Sequence, residues 1–261
     1  AQTMQKMCSD ILGLDFVEVK PKIKKRNLQI DPTLKQVCIG VFGTAQSKFW
    51  NNPTGWQTVV DWLNNKGYTV KLLSKEGDDY MGNKLPKGVV QHPHGPLELV
   101  MDEMLKSKAF IGIGSGLSWL SWSLNVPTVL ISGFSYDWAE MEDCVRIAAP
   151  KGKCEGCFNR VRLDPSDWNW CPDHKGTERQ FECTKSITPE MVIEQINKSK
   201  FVKNFDEIYY VSALKNKNIN NLLDGIVARL PEGDFENSIN FETNISKDVF
   251  FSELTREAVF K

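Results

Sequence analysis

The sequence predicts an α/β protein: a parallel sheet with helices on both faces, then a cysteine-rich insert and a small α/β tail. Three observations predict this. Between residues 37 and 132, short β-branched runs alternate with amphipathic stretches, the pattern of strand–helix–strand crossovers. Four of the seven cysteines fall within residues 154–183, spaced C-x2-C, then thirteen residues, then C, then eleven, then C. Residues 201–261 hold one strand–helix unit and one further helix, too little apolar surface for an independent core.

The bulk numbers agree with a globular chain. It has 261 residues, 41% hydrophobic and 25% charged, with a formal net charge of -1, which excludes a basic nucleic-acid stripe. Lys20, Lys22, Lys24, Lys25 and Arg26 cluster locally and read as a solvated loop or edge. No stretch reaches the ~18 apolar residues of a membrane span. The first twenty residues lack a basic start followed by an apolar run. An odd number of cysteines argues against a secreted disulfide framework, so a reducing, cytoplasmic setting is expected.

Residues 1–36 are weakly patterned, with a short helix expected at 4–12, ending at Gly13. "VCIGVFGT" (37–44) is a β-branched run that stops at glycine, as a buried strand does. Pro53 and Thr54 suit a helix start; Trp56, Val59, Val60 and Leu63 recur at helical spacing, and Gly67 suits the stop. Residues 68–74 read as a strand and "GVVQH" (88–92) as a short one. "PLELVMDEMLKS" (96–107) is an amphipathic helix with Leu97, Val100, Met101, Met104 and Leu105 on one side. "AFIGIG" (109–114) is a strand, "GLSWLSWSLN" (116–125) a helix and "VPTVLIS" (126–132) a strand. The insert is bounded at 144–185, and a helix runs from 189 to about 200. The three parts are therefore 1–36, a sheet domain at 37–200 that contains the insert, and a tail at 201–261.

In the insert, Cys154 and Cys157 form a knuckle that chelates one ion from a tight turn, and Cys171 and Cys183 close a tetrahedron. Redox cysteines or a disulfide are the bland readings, but this C-x-x-C lies in a Lys/Gly loop rather than opening a helix. Four thiolates suit zinc or iron and leave no ligand position open, so the site reads as structural. His174 lies inside the knot and reads as a bystander.

Two further stretches carry chemistry. In "FIGIGSGLSWL" a strand runs into Gly114-Ser115-Gly116 and a helix begins at once, presenting backbone N–H groups and a positive dipole end to a diphosphate. The plain alternative is a tight turn with glycines for packing. The spacing is neither G-x-G-x-x-G with a downstream acid nor a P-loop. "GTAQSKFW" sets Thr44 and Lys48 at the carboxyl edge of the first strand, where a lysine neutralises charge on a leaving phosphate. Glu76, just past the second strand, suits ribose hydroxyls or an ordinary loop. Trp119 and Trp122 read as packing.

Together, "TAQSKFWNNPTGWQTVVDWL", "FIGIGSGLSWLSWSLNVPTVLISGFS" and the four-cysteine insert resemble the bacterial autotransporter heptosyltransferases of glycosyltransferase family 9, over roughly residues 1–200. The resemblance implies the Rossmann-like C-terminal half of a GT-B enzyme. It implies transfer of heptose from ADP-heptose to serine hydroxyls of an autotransporter protein, with inversion, in a protein that assembles into rings. It also implies iron rather than zinc on Cys154, Cys157, Cys171 and Cys183. Thr44, Ala45 and Lys48 would contact the donor diphosphate and sugar; Ser115, Gly116 and Leu117 would offer N–H groups, and Glu76 would lie near the nucleoside. The family's acceptor-side half, with its general base, has no counterpart in these residues. The alternative is a non-catalytic, metal-stabilised interaction module using Trp168, Trp170 and Phe181. The tail resembles something else: "VSALK" (Ser212, Ala213, Leu214, Lys215) and "NINNLLDGIVARLPEG" are similar to the last guanine-contact loop and last helix of Era-type GTPases, and "VFFSELTREAVFK" to the start of their RNA-binding part. No P-loop or N-K-x-D motif accompanies them, so GTP hydrolysis is not expected.

Overall fold

A computed structural model describes residues 3–16, 19–24, 28–31, 33–93, 95–199 and 218–227. The chain divides into two units, Ala1–Ile208 and Tyr209–Lys261. In the second, one helix, Ile219–Val227, is described. The strand expected at 208–212, the "VSALK" loop and the helix expected at 249–260 lie outside the described residues.

The first unit opens with helix α1 (Met4–Leu12). Thr3 caps it by accepting from the N–H of Lys6, and Gly13 ends it in the left-handed region. The sheet then forms from β1 (Gln36–Gly40), β2 (Thr69–Leu72), β3 (Val90–Gln91), β4 (Ala109–Ile113), β5 (Thr128–Ile131) and β6 (Val145–Ile147). All are parallel, in the order β3-β2-β1-β4-β5-β6. This is the doubly wound order, whose direction reverses between β1 and β4. Five strands were expected. The sixth, β6, is a three-residue run inside the stretch assigned to the insert, so the insert begins after it rather than at residue 144.

Helices α2 (Gly55–Asn65) and α7 (Pro189–Lys198) cover one face; α3 (Leu97–Lys106) and α4 (Gly116–Ser123) cover the other. Side-chain alternation sorts the core accordingly. Val37, Ile39, Ile111, Ile113, Val129 and Ile131 pack against Val59, Val60, Leu63, Val192 and Ile196. Cys38 and Phe110 turn the other way, onto Val100, Met104 and Val126. Burying each such large apolar side chain contributes about 2 kcal/mol. The helix ends follow local chemistry. Past α2 the N–H of Tyr68 returns to Leu63 O at 3.0 Å and that of Gly67 to Asn64 O at 2.9 Å, a Schellman closure. Thr188 accepts from Met191 N, with Pro189 in the first turn of α7. On α3, Val100 and Met104 are buried as the spacing predicts, but Leu97 is 56% exposed, since it borders a cavity instead of the sheet. From the basic cluster, Lys20 reaches across to α4: its ammonium lies 5.1 Å from the Trp122 ring centroid and donates to Asn125 Oδ1.

The insert is docked on the carboxyl edge of the sheet. Two short helices, α5 (Cys157–Arg160) and α6 (Glu182–Lys185), carry two of its cysteines. Gly156 N donates to Gly133 O and Phe158 N to Phe134 O, both at 3.1 Å. Gly133 has to be glycine: a Cβ there would lie 2.8 Å from Cys183 Cβ and 3.0 Å from its carbonyl carbon. On the other side Gln46 N donates to Trp168 O and Asn51 Nδ2 to Thr184 Oγ1. The insert thus braces the loop after β1 and the loop after β5 at once.

Candidate nucleotide-sugar site

The switch point between β1 and β4 opens onto two adjoining cavities. One, of about 560 Å³, is mostly apolar and lies between the ends of β2, α3 and α4; Leu73, Glu76, Leu97, Leu117 and Trp119 border it with Ser115 and Gly116. The other, of about 240 Å³, shares Ser115, Gly116 and Trp119 and adds Lys48, Phe134, Ser135 and Glu140. The strand-to-helix turn forms the ridge between them. A large apolar chamber beside a small charged one suits a base and ribose followed by a charged group.

The two glycines flanking this turn have different duties. A Cβ on Gly112 would meet the Phe110 ring at 2.5 Å and Ser118 Oγ at 3.0 Å, so that glycine serves helix–sheet packing. A Cβ on Gly116 would meet nothing within 4 Å, and Gly116 borders both cavities. Packing therefore explains the first glycine and leaves the second to be explained by close approach from outside. The first turn of α4 borders this space with two of its donors uncommitted. Ser118 N and Trp119 N return to Ser115 O, whereas among the described residues no protein acceptor receives the N–H of Gly116 or Leu117. Ser115 Oγ is enclosed and has no partner either. Free amide donors, an open Gly and the positive end of a helix are the components of an anion cradle.

Lys48 supplies the cation. It ends the 3-10 turn Gln46–Lys48 that follows β1, and its Nζ donates to Thr44 Oγ1 at 3.2 Å. The ammonium sits 5.6 Å from the Phe134 ring centroid. Burial lowers the Lys48 pKa, partly offset by the negative charge of Glu140. Of the residues expected at a donor site, Glu76, Ser115, Gly116 and Leu117 share the larger cavity, and Lys48, Ser115 and Gly116 the smaller. Thr44 touches the site through Lys48. Ala45 is buried at the start of the 3-10 turn and borders neither cavity. Trp122 is buried as packing; Trp119, paired edge-on with it at 5.7 Å, also borders both cavities. Sequence reasoning missed Phe134, Ser135 and Glu140. Their one signal was position, in the loop directly after a strand that ends at the same edge.

The insert gathers its ligands beside this site. Cys157, Cys171 and Cys183 are buried and Cys154 half-buried, all as free thiols. Burial pushes the Cys157 thiol up to about 11, helped by the nearby Asp173 and by Cys154 and Cys171. It pushes Cys183 higher still, with Cys154, Cys157 and Cys171 adding to the rise. All four sulfurs thus lie within electrostatic reach of one another. The tightest group of ligating atoms is not the four thiols, however. It is Cys154, His174 and Glu182, whose donor atoms lie within 4.8 Å of one another. His174, read from sequence as a bystander, stands in that group because the turn after Cys171 folds its carbonyl back to His174 N and Lys175 N. Soft thiolates with an imidazole at hand fit zinc or iron, and the Cys157 and Cys183 thiols, raised by burial, ionise only when a cation compensates them.

No protein-family model matches the chain. Among curated proteins it is 38% identical over 207 residues to the autotransporter heptosyltransferase Aah of Escherichia coli, covering 76% of this chain and 52% of that protein. It is 40% identical over 190 residues to the autotransporter heptosyltransferase BAHTCr of Citrobacter rodentium, covering 70% and 46%. The crystal structure of the iron-containing dodecameric glycosyltransferase TibC from enterotoxigenic E. coli superimposes with a TM-score of 0.64 at 37% identity, over 72% of this chain and 50% of that one. A second TibC structure, in complex with ADP-D-β-D-heptose, gives 0.63 over the same shares. The chain spans about half the length of the relatives it matches. The doubly wound sheet and these likenesses define a Rossmann-type domain with the fold of about half of the glycosyltransferase TibC. Over the matched part, the chain is homologous to the autotransporter heptosyltransferases.

Proposed function

We propose that this chain is the C-terminal, nucleotide-sugar-binding half of a GT-B heptosyltransferase. It binds ADP-heptose and serves the transfer of heptose to serine hydroxyls of an autotransporter protein. The observation that carries this reading is the pair of uncommitted N–H groups at Gly116 and Leu117, at a turn whose Gly116 borders both the larger cavity and the smaller one that holds Lys48. In the proposed complex the adenosine lies in the larger cavity near Glu76, the diphosphate on the α4 turn, and the sugar in the smaller cavity. Lys48 then neutralises the departing ADP, which an inverting transfer requires. The general base is left to the acceptor-side half. Thr44 positions Lys48, and Ala45 supports the turn from beneath.

The insert holds one structural iron in this reading, on Cys154, Cys157, Cys171 and Cys183, with His174 as the nearest substitute ligand. Assembly with further copies is proposed after the dodecameric TibC, and a cytoplasmic setting from the odd number of cysteines; no helix among the described residues is long and apolar enough to cross a membrane. For residues 201–261 the Era-type resemblance rests on the quoted motifs alone, and nothing in the comparisons supports it.

Lys48→Ala tests the site. By calorimetric titration it weakens ADP binding about 10–100-fold, the scale of one charge-assisted hydrogen bond. Unchanged affinity rules out the cradle as drawn. A pH series adds a sign. Because the Lys48 pKa is lowered, ADP affinity falls as pH rises through that lowered value, before an ordinary lysine would titrate. The ligand-free protein, which holds a disfavoured buried charge below that pH, gains stability over the interval from there up to the unfolded value near 10.5. Lys48→Arg, always charged, abolishes the alkaline loss of ADP affinity.

A further inference from the structure

Resting on that nucleotide-sugar reading, we infer that Glu140 is the specificity-determining residue for the transferred sugar, accepting hydrogen bonds from its hydroxyls inside the smaller cavity. Glu140 is only 6% exposed, a costly place for a carboxylate unless its oxygens are used. One of them is. Oε1 accepts from Ser132 Oγ at 3.0 Å and from Ser135 Oγ, and the two hydroxyls are 3.2 Å apart. The loop carrying them is held by Arg146, whose Nη2 donates to Ser135 O at 2.6 Å. The other oxygen, Oε2, takes no hydrogen bond among the described residues, yet it is not one of the enclosed polar atoms left unsatisfied. Oε2 is therefore accessible and free, on a residue that borders the smaller cavity.

Lys48 borders the same cavity, near enough for Glu140 to raise its pKa against burial. Still, among the described residues no ion pair within 4.0 Å joins them. Opposite charges that share a small chamber without collapsing together leave room for a group that meets both. A diphosphate alone meets only Lys48 and the amides, and the carboxylate repels it. A sugar attached to that diphosphate brings hydroxyl donors to Oε2 and uses both charges. The serine clamp does not itself call for a carboxylate, because the amide oxygen of a glutamine would accept from both hydroxyls equally well. The negative charge is therefore left for a ligand with donors to offer.

Calorimetric titration of the full chain with ADP and with ADP-heptose separates the possibilities. In Glu140→Gln the ratio of the two dissociation constants, ADP over ADP-heptose, falls about tenfold, the loss of one charge-assisted hydrogen bond. ADP itself binds as in the parent or more tightly. Glu140→Ala lowers the ratio at least as far. If both ligands weaken in parallel, or the ratio stays constant, Glu140 is a structural residue and the inference is overturned, while the ADP site stands. If the parent chain binds neither ligand, the nucleotide-sugar reading falls and takes the inference with it. Should both Glu140 variants fail to fold, Ser135→Ala carries the test by loosening the clamp while keeping the carboxylate. A ratio reduced about threefold supports the assignment, and an unchanged ratio overturns it.

Discussion

Cys183→Ser strips the metal from the chain and lowers its melting temperature by about 10 °C or more. The size follows from the position of Cys183. It is buried, its sulfur lies within electrostatic reach of the other three insert cysteines, and its backbone is wedged against Gly133 at the end of β5. A serine there is a poor ligand and a buried hydroxyl. Loss of a structural metal belongs among the few single changes that cost about 4 kcal/mol or more, which is ~10 °C for a domain of this size. The damage should spread to the nucleotide, because the insert braces both walls of the smaller cavity. Gln46 leans on Trp168 beside Lys48, and Phe134 is tied to Phe158 beside Glu140. Elemental analysis of anaerobically purified protein gives about one iron per chain before the change and none after it. Iron retained at full occupancy in Cys183→Ser would remove this residue from the ligand set.

Gly116→Val eliminates ADP binding, by on the order of 100-fold or more, and leaves folding nearly unchanged. The side chain enters open space, since nothing lies within 4 Å of where its Cβ would stand, and Gly116 is not among the residues with positive φ. At the first position of α4, valine is no worse a helix former than glycine. The cost falls on a ligand alone. An isopropyl group over the α4 turn keeps a phosphate away from two uncommitted N–H groups, each worth ~1.5–3 kcal/mol toward an anion. A melting temperature within about 2 °C of the parent, together with lost ADP binding, separates this result from misfolding. Gly112→Val is the contrast: there the clash with the Phe110 ring destabilises the protein whether or not ADP is present.

The frame of the sheet was legible because buried parallel strands read as apolar runs, and those of β1, β4 and β5 end at glycine or serine. The Gly114–Gly116 turn was legible for the same reason. β6 was not: three residues between Cys144 and a Lys/Gly loop carry no period, and the strand exists because β5 offers it an edge. Leu97 followed the helical period and yet faces a cavity, since a period fixes a face of a helix but not what lies opposite. Glu140 was illegible for a deeper reason. Its role depends on two serine hydroxyls, a half-buried arginine and a lysine about ninety residues earlier, which meet only in the fold. Count and spacing of the cysteines pointed to a four-thiolate site, whereas the approach of His174 and Glu182 to Cys154 comes from turns that spacing does not encode.

The cradle on the α4 turn stands or falls by a crystal structure of the metal-replete chain grown with millimolar ADP. It should show the diphosphate within hydrogen-bond reach of the Gly116 and Leu117 N–H groups and of Lys48 Nζ, with adenosine in the larger cavity. ADP seated away from that turn, or an empty turn at saturating ligand, would contradict it.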